Sequence, residues 1–597
     1  MPIALAGGSS ATILSIVGLE LLPYFSTAEA CTLRLVCRDF REAVAGLQWK
    51  DRETVIRGDL SRWRACFPRA RAANICKRVD LTDADFAHLQ GLHTLDMSGC
   101  SQNTLSDVAF SYLSGLRTLN MSNCSQTTIT DAAFSHLRGI QRLSIHGCTQ
   151  ATITCGAFAH LRGIHTLDMS DCTLPSVTDA TFAHLSGIHT LDMSSCGLPG
   201  ITDAAFGHLR GIQALHMRFC GLLALSDSAF APLAGIHTLD MSYCDQPGIS
   251  DFAFTHLRGI HTLKMSRCTQ PTITCAAFAC LRGIQHLDIS FCSHPTVTDE
   301  TFAHLRGIHT LKMSACDLPA ITDGAFSHLA GIHSLFMECC GHLAISSAAF
   351  IHLRGIHTLN MHSCSQPSIT DDAFVHLKGI HTLHMVGCKQ TGITDAAFAN
   401  LQGIHTLSIS GCNQPTLTDD AFRHLRGVHT LYMNDCNQAT ITDAAFAYLT
   451  GICSLSMSGC DQLTITDAAF VHLRGIRSLH MVKCNQTTIT DAAFASLQGI
   501  HSLCMMACDQ HTITDAAFVH LRGLHTLNMT LCSQATITDA AFANLQGIHT
   551  LDMRFCKQPS ITGAAFAHLH GIQRLLMKGC RAATVTAARA LGLPVAV

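Results

Sequence analysis

The chain has 597 residues, of which 48% are apolar and only 14% charged, a composition that excludes a disordered polyelectrolyte. Its 39 Lys and Arg nearly balance 42 Asp and Glu, and the formal net charge of −3 lacks the basic excess of a sequence-independent nucleic-acid binder. A length of this order would ordinarily mean several unrelated domains, but 22 of the 31 cysteines form one series from Cys76 to Cys580, each 24 residues after the last, so the chain reads as a repeat array.

The N-terminal residues 1–12, with Gly7, Gly8, Ser9 and Ser10, are expected to be disordered. The first basic residue is Arg34, so the charged start of a signal peptide is missing. With an odd number of cysteines, that reading expects reduced thiols and a cytoplasmic or nuclear location. Beyond the N-terminus Asp, Arg or Lys recurs in almost every repeat, leaving no apolar stretch of ~20 residues, and no membrane partner is expected.

Residues 13–65 form a separate segment, expected to be helical and to cap the repeat array. Leu33, Val36, Phe40 and Val44 recur at three or four residues, which predicts one apolar face of a helix. The stretch from Leu33 to Arg41, followed by Ala43, Val44 and Trp49, resembles the second half of an F-box, with Tyr24 and Phe25 at that family's Tyr-Leu step. Ile13-Leu14 stand where the family opens with Leu-Pro, and Pro23 falls between. The resemblance implies that residues 13–49 dock a Skp-type adaptor on a cullin scaffold, through Tyr24, Phe25, Leu33, Val36, Cys37, Phe40 and Val44. The alternative is that the same stripe serves only to close the open end of the array.

The repeats occupy residues 66–585. In the specimen from Leu89 to Leu113, Leu92, Leu95, Met97 and Cys100 alternate as a short strand with its exit turn, Leu105 follows in a loop, and Phe110 and Leu113 are spaced as on a helical turn. The Leu95 position is leucine in all 21 full repeats, the Met97 position is methionine in 18, and the Phe110 position is always phenylalanine, so these are expected core ladders. Thr130-Asp131 and its copies have the Thr or Ser of an N-cap and an Asp suited to the positive end of a short helix. Gly91, Gly115 and Gly139 sit where a left-handed cap would end it. The pattern resembles a leucine-rich repeat with cysteine in place of the common asparagine, from about Cys76 to Val585. That resemblance implies an α/β solenoid, a curved horseshoe of about 21 repeats with parallel concave strands and short convex helices, and residues 586–597 as its C-terminal cap or tail.

The cysteine ladder is read as packing: thiols in phase on neighbouring strands point the same way, and buried cysteine behaves as a small hydrophobe. Of the 38 histidines, 14 occupy the His93 position and 14 the His88 position. They are read as solvated edges, with a metal-buffering role as the rival. Nothing resembles GxSxG, a P-loop, HExxH or a CxxC pair, so neither an enzyme nor a cofactor is expected.

The strand position of Asp96 is the diversified row. Five of its first nine members are Asp (Asp96, Asp168, Asp192, Asp240 and Asp288) against one of the last twelve, which favours a ligand with a basic segment. Asp168, Asp192, His216, Arg218, Phe219, Asp240, Tyr243, Lys264, Asp288 and Phe291 are the expected contacts, with Arg267 alongside and Phe336, Glu338 and Cys339 as a second departure. The F-box resemblance makes the chain the substrate-recognition subunit of a cullin-type ubiquitin ligase, and the alternative is a protein-binding scaffold with no ligase attached.

Overall fold

From Thr94–Asp96 to Arg574–Leu576 each repeat forms a short strand around a central Leu that faces inward, most often preceded by the β-former Thr, while the third residue varies. The computed structural model describes residues 22, 25–36, 38–222, 224–341 and 344–596. Two units divide the chain at Ile284–Gln285. The first carries nine three-residue strands from Ala72–Asn74 to Thr262–Lys264, and the second carries thirteen from His286–Asp288 to Arg574–Leu576 plus a short one at Val595–Ala596. Within each unit neighbouring strands are parallel and paired residue for residue, as in Thr94↔Thr118 and Leu95↔Leu119, or Leu311↔Leu335.

Leu95, Met97, Cys100, Leu105, Phe110 and their equivalents are buried in both units, as their uniformity predicts, except the half-buried cysteines at the two ends of the ladder, Cys76 and Cys580. The outer helices are shorter than a regular helix: Asp131–Phe134 is a single α-turn that tightens at once into a 3₁₀ turn, Ser135–Leu137. Gly91 and its equivalents then take φ near +80 to +88° and turn the chain back to the next strand.

The cysteine ladder does more than fill space. Most of the thiols also donate to a carbonyl at the strand exit of the preceding repeat, as Cys124 Sγ to Met97 O at 3.2 Å and Cys316 Sγ to Ile289 O at 2.9 Å. Burial pushes the Cys100 thiol up to about 11, so it stays protonated and remains a donor.

The Asp of the Thr-Asp pair corrects a local reading. Its carboxylate reaches the next repeat, where Asp131 accepts from Thr154 N at 2.6 Å and from Thr154 Oγ1. The same bridge recurs at Asp179–Thr202 and Asp443–Thr466. Cys155 and Cys275 stand where other repeats have this Asp, and the helical turns of the repeats after them carry Thr181 and Thr301 in place of the usual Ala. Those threonines accept from Thr178 N at 3.2 Å and Thr298 N at 3.1 Å, supplying the missing cap from within the repeat. Thr82, in the first turn of the array, is capped in the same way by Asp85 at 2.8 Å.

Before the first strand lie α1 (Thr27–Leu33), α2 (Arg38–Gly46) and α3 (Leu60–Cys66). The expected single stripe from Leu33 to Val44 is divided. Val36 falls in the turn between α1 and α2 and is 68% exposed, whereas Val44 is fully buried and its carbonyl accepts from Trp49 Nε1 at 2.7 Å. Trp49 and Trp63 meet Phe67 with ring centroids 5.4 and 6.1 Å apart. From α3, Arg64 donates to His88 O at 2.5 Å and Gln90 O at 2.9 Å, tying this aromatic cluster to the first helical turn. Tyr24, Cys37 and the segment 1–12 lie outside the described residues. At the other end a helix, Ala582–Ala590, leads to Val595, which pairs with Leu575, so the expected tail continues the strand ladder.

Candidate binding surface

Every strand exits through one residue in the left-handed region, a conformation in which a Cβ is strained. Glycine occupies it in some repeats, such as Gly99, Gly147 and Gly387, and other residues in most, from Asn123 to Phe555; Phe219, Tyr243 and Arg267 place three large side chains there in consecutive repeats of the first unit, at φ of 55, 58 and 56°. The rings of Phe219 and Tyr243 stack with centroids 3.8 Å apart and planes 29° apart. The Arg218 guanidinium lies 4.9 Å from the first ring and 5.2 Å from the second, and Arg267 lies 5.4 Å from Tyr243. Phe219 keeps 48% of its surface exposed. Bulky side chains in strained backbone, layered with guanidinium groups and left open to solvent, are unexplained by packing of the fold.

Beside the layered rings is a depression of about 390 Å³, lined by Asp171, Asp192, His216, Arg218, Phe219 and Asp240 together with Ser170, Ser194 and Ser195. The strand aspartates here are partly committed to the fold. In each Asp-x-Ser sequence one carboxylate oxygen accepts the Ser N–H two residues on, at 3.1 Å for Asp168, 2.9 Å for Asp192 and 3.1 Å for Asp240. Asp168 also accepts from the Ser144 and Ser170 hydroxyls at 2.8 and 2.6 Å. Asp240 is 9% exposed and has Lys264 Nζ 3.6 Å from its second oxygen, so it offers no free negative charge to a basic ligand. The acidic bias of the row is therefore in large part a strand-exit turn, and Asp192 is the carboxylate it leaves at the rim of the depression.

Of the expected contacts, the structure brings Asp192, His216, Arg218, Phe219 and Asp240 around one depression, with Tyr243, Lys264 and Arg267 continuing along the same face. Asp288 and Phe291 belong to the second unit, where Asp288 accepts from Ser290 N at 3.0 Å and Phe291 takes φ 60° with 47% exposure. Asp171 was missed from sequence because it sits at a turn position rather than in the diversified strand row. In the second unit Lys312 Nζ lies 5.3 Å from the Phe336 ring, and Glu338 accepts from Asn360 Nδ2 at 2.6 Å. Burial lowers the pKa of nearby His384, with Glu338 acting in the opposite sense. Among the described residues no group of three His, Cys, Asp or Glu side chains could hold a metal, and no helix is long and apolar enough to cross a membrane.

Residues 90–150 match a family model described as leucine rich repeat, and 247–381, 367–501 and 440–573 match one described as BspA type leucine rich repeat region; the latter three together span 247–573, more than half of the chain. No curated protein shows a significant match. A crystal structure of a TLR13–ssRNA13 complex is 16% identical, with 90% of each chain covered and a TM-score of 0.54, which shows likeness of fold. A leucine-rich-repeat protein of Leptospira interrogans is 15% identical, covering 66% of this chain and 91% of its own, with a TM-score of 0.45. The Toll–Spatzle complex of Drosophila is also 15% identical, covering 84% of this chain and 67% of its own at a TM-score of 0.43. The 24-residue register, the paired Leu ladders and the family match lead to one identification: this chain belongs to the leucine-rich-repeat proteins, of the BspA type.

Proposed function

We propose that the chain is a non-catalytic protein-binding scaffold whose partner seats on the Phe219–Tyr243 face of the first unit. The observation that carries this reading is the stack of two aromatic rings, Phe219 and Tyr243, 3.8 Å apart with the Arg218 guanidinium over both, on an exposed strand-exit row. Stacked rings supply rigid apolar area, and Arg218, Arg267, Lys264 and Asp192 around them give a polar rim of mixed sign. The partner segment is therefore one with an apolar anchor flanked by both charges, with a basic group opposite Asp192. Alanine at both Phe219 and Tyr243 should release a captured partner that the unaltered chain retains. A partner retained equally by both would refute the assignment.

Substrate delivery to a cullin-type ubiquitin ligase is the finer form of this proposal. Its support is the F-box-like sequence together with Leu35 and Val36, which are 83% and 68% exposed between α1 and α2. Val44 is spent on the aromatic cap and Leu33 and Phe40 are half-buried, so of the expected contacts among the described residues Val36 is the most exposed, with Leu35 beside it. Co-purification with a Skp-type adaptor tests it, and Val36→Asp should abolish that capture without lowering the melting temperature. No adaptor captured by the unaltered chain would leave the scaffold without a ligase, and an adaptor retained by that variant would refute Val36 as its contact.

A further inference from the structure

The net charge of −3 hides a segregation of charge along one edge of the second unit. The turn from each outer helix to the next strand spans seven residues, from His304–Thr310 in the first of these segments to His568–Arg574 in the last. Twelve such segments lie between 304 and 574; they contain 18 His and 8 Lys or Arg, and none of the unit's 20 Asp and Glu. Parallel, in-register strands set equivalent residues side by side, so the segments form continuous rows.

Contacts confirm the rows. His309, His333, His357, His381, His405 and His429 stack in one column with successive centroids 4.4–4.6 Å apart. Arg306 and Arg354 each reach the outer histidine of the following repeat, His328 and His376, at 3.3 Å. Arg306, Arg354, Lys378, Arg426, Arg474 and Arg522 are exposed. Stacking spends the imidazole faces on one another, and each Nδ1 in the column meets the hydroxyl of the adjoining Thr or Ser, as His333 with Ser334 at 3.0 Å. What the edge presents is a file of ring Nε2 atoms and cations.

We infer that this Arg/His edge of the second unit binds a single-stranded nucleic acid along its phosphate backbone. Three features select that occupant. Strands about 4.8 Å apart spread the twelve segments over roughly 50 Å, a line of donors matched to a linear polyanion. The segments themselves carry no exposed large apolar side chain, and the exposed aliphatics just before them, Ile351, Val375, Val471 and Val519, stand singly or in one pair, short of the continuous apolar face that a lipid bilayer needs. A duplex is stiff over about 150 base pairs, whereas a single strand can lay its phosphates along a fixed row. The column imidazoles stack on one another and Tyr448, the one Phe, Tyr or Trp in the segments, lies against Arg426 at 5.4 Å, so the contacts are to phosphates and binding is independent of sequence. Acid strengthens it, because the charged groups acting on His333 and His381 are the neighbouring histidines, beside the adjoining strand hydroxyls, while Glu300 of the outer helix acts on the outer His328.

The test is fluorescence anisotropy of a labelled oligothymidylate with the full chain across a salt series at pH near 5.5 and 7.5. Comparison is with Arg306→Ala/Arg354→Ala/Lys378→Ala, and with the control Lys389→Ala/Lys483→Ala/Lys557→Ala, which removes equal charge from the same unit away from the edge. Binding should tighten at the lower pH. The edge variant should lose about tenfold or more in affinity and flatten the slope of log K against log salt by about 2, while the control retains both. Lack of binding, equal losses in the two variants, or preferential binding of heparin or of anionic vesicles over the oligonucleotide would each overturn the assignment. Unchanged circular dichroism in both variants separates these outcomes from misfolding.

Discussion

Phe219 and Tyr243 stack ring on ring at 3.8 Å while both hold left-handed backbone, at φ 55 and 58°. Stacking and strain oppose each other, and only one of them is local to the fold. Left-handed strain at a bulky residue amounts to about 1–3 kcal/mol, while an aromatic pair contributes about 0.5–1.5 kcal/mol. Phe219→Gly/Tyr243→Gly should thus leave the thermal midpoint unchanged or raise it slightly, and should abolish partner capture. A fall equivalent to more than about 2 kcal/mol would make the pair a structural feature.

Thr181 replaces a cap that Cys155 cannot provide. Thr181→Ala should destabilise the repeat by about 1 kcal/mol, read as faster amide exchange at Thr178. An added aspartate at position 155 should restore protection by the bridge seen between Asp131 and Thr154. Additive losses in the double variant would contradict the bridge.

The thiol bond from Cys316 to Ile289 O predicts that Cys316→Ser retains a donor where Cys316→Ala does not. Ile289 O also accepts from Cys292 N at 3.2 Å, so neither change leaves it without a donor, and losses should stay near 1 kcal/mol. Denaturant midpoints of the two variants check the order. Maleimide in the native state should modify exposed Cys155, Cys275 and Cys339 well before the ladder thiols.

Acid should loosen the chain in two stages. Burial lowers the pKa of His333 and His381, and their neighbours in the column lower it further. A depressed histidine contributes stability above its ordinary value of about 6.5, lost as pH falls through the folded value. Asp51 is opposed by burial but held down to about 2 by hydrogen bonds from Thr27 and Thr54. Its contribution is present above the ordinary carboxylate range and disappears as pH falls from about 4 towards 2. Around α1 this stage is read by tryptophan fluorescence of Trp49 and Trp63, from which Asp51→Asn should remove it, while Asp552, held down by Arg554 in the second unit, should be unaffected by that change.

The ladders of Leu95, Phe110 and Gly91 were legible because each row obeys one physical demand repeated at 24 residues. The bridge from Asp131 was not, because its partner lies 23 residues on and a local reading assigns the carboxylate to its own helix. The Leu33–Val44 stripe failed because helical spacing does not report the turn at Val36. The strain at Phe219 had a signal in the glycines at positions 99 and 147, which mark a left-handed site. The Arg/His edge was concealed by a net charge that averages over both sides of every repeat.

The binding face of the first unit is tested most directly by photo-crosslinking from p-benzoylphenylalanine placed at position 219 and, in a separate chain, at position 435, the equivalent strand exit in the second unit. The account predicts a partner adduct from 219 that is lost when Tyr243 and Arg267 are changed to Ala, and no adduct from 435. Adducts from 435 alone, or equally from both sites, would contradict it.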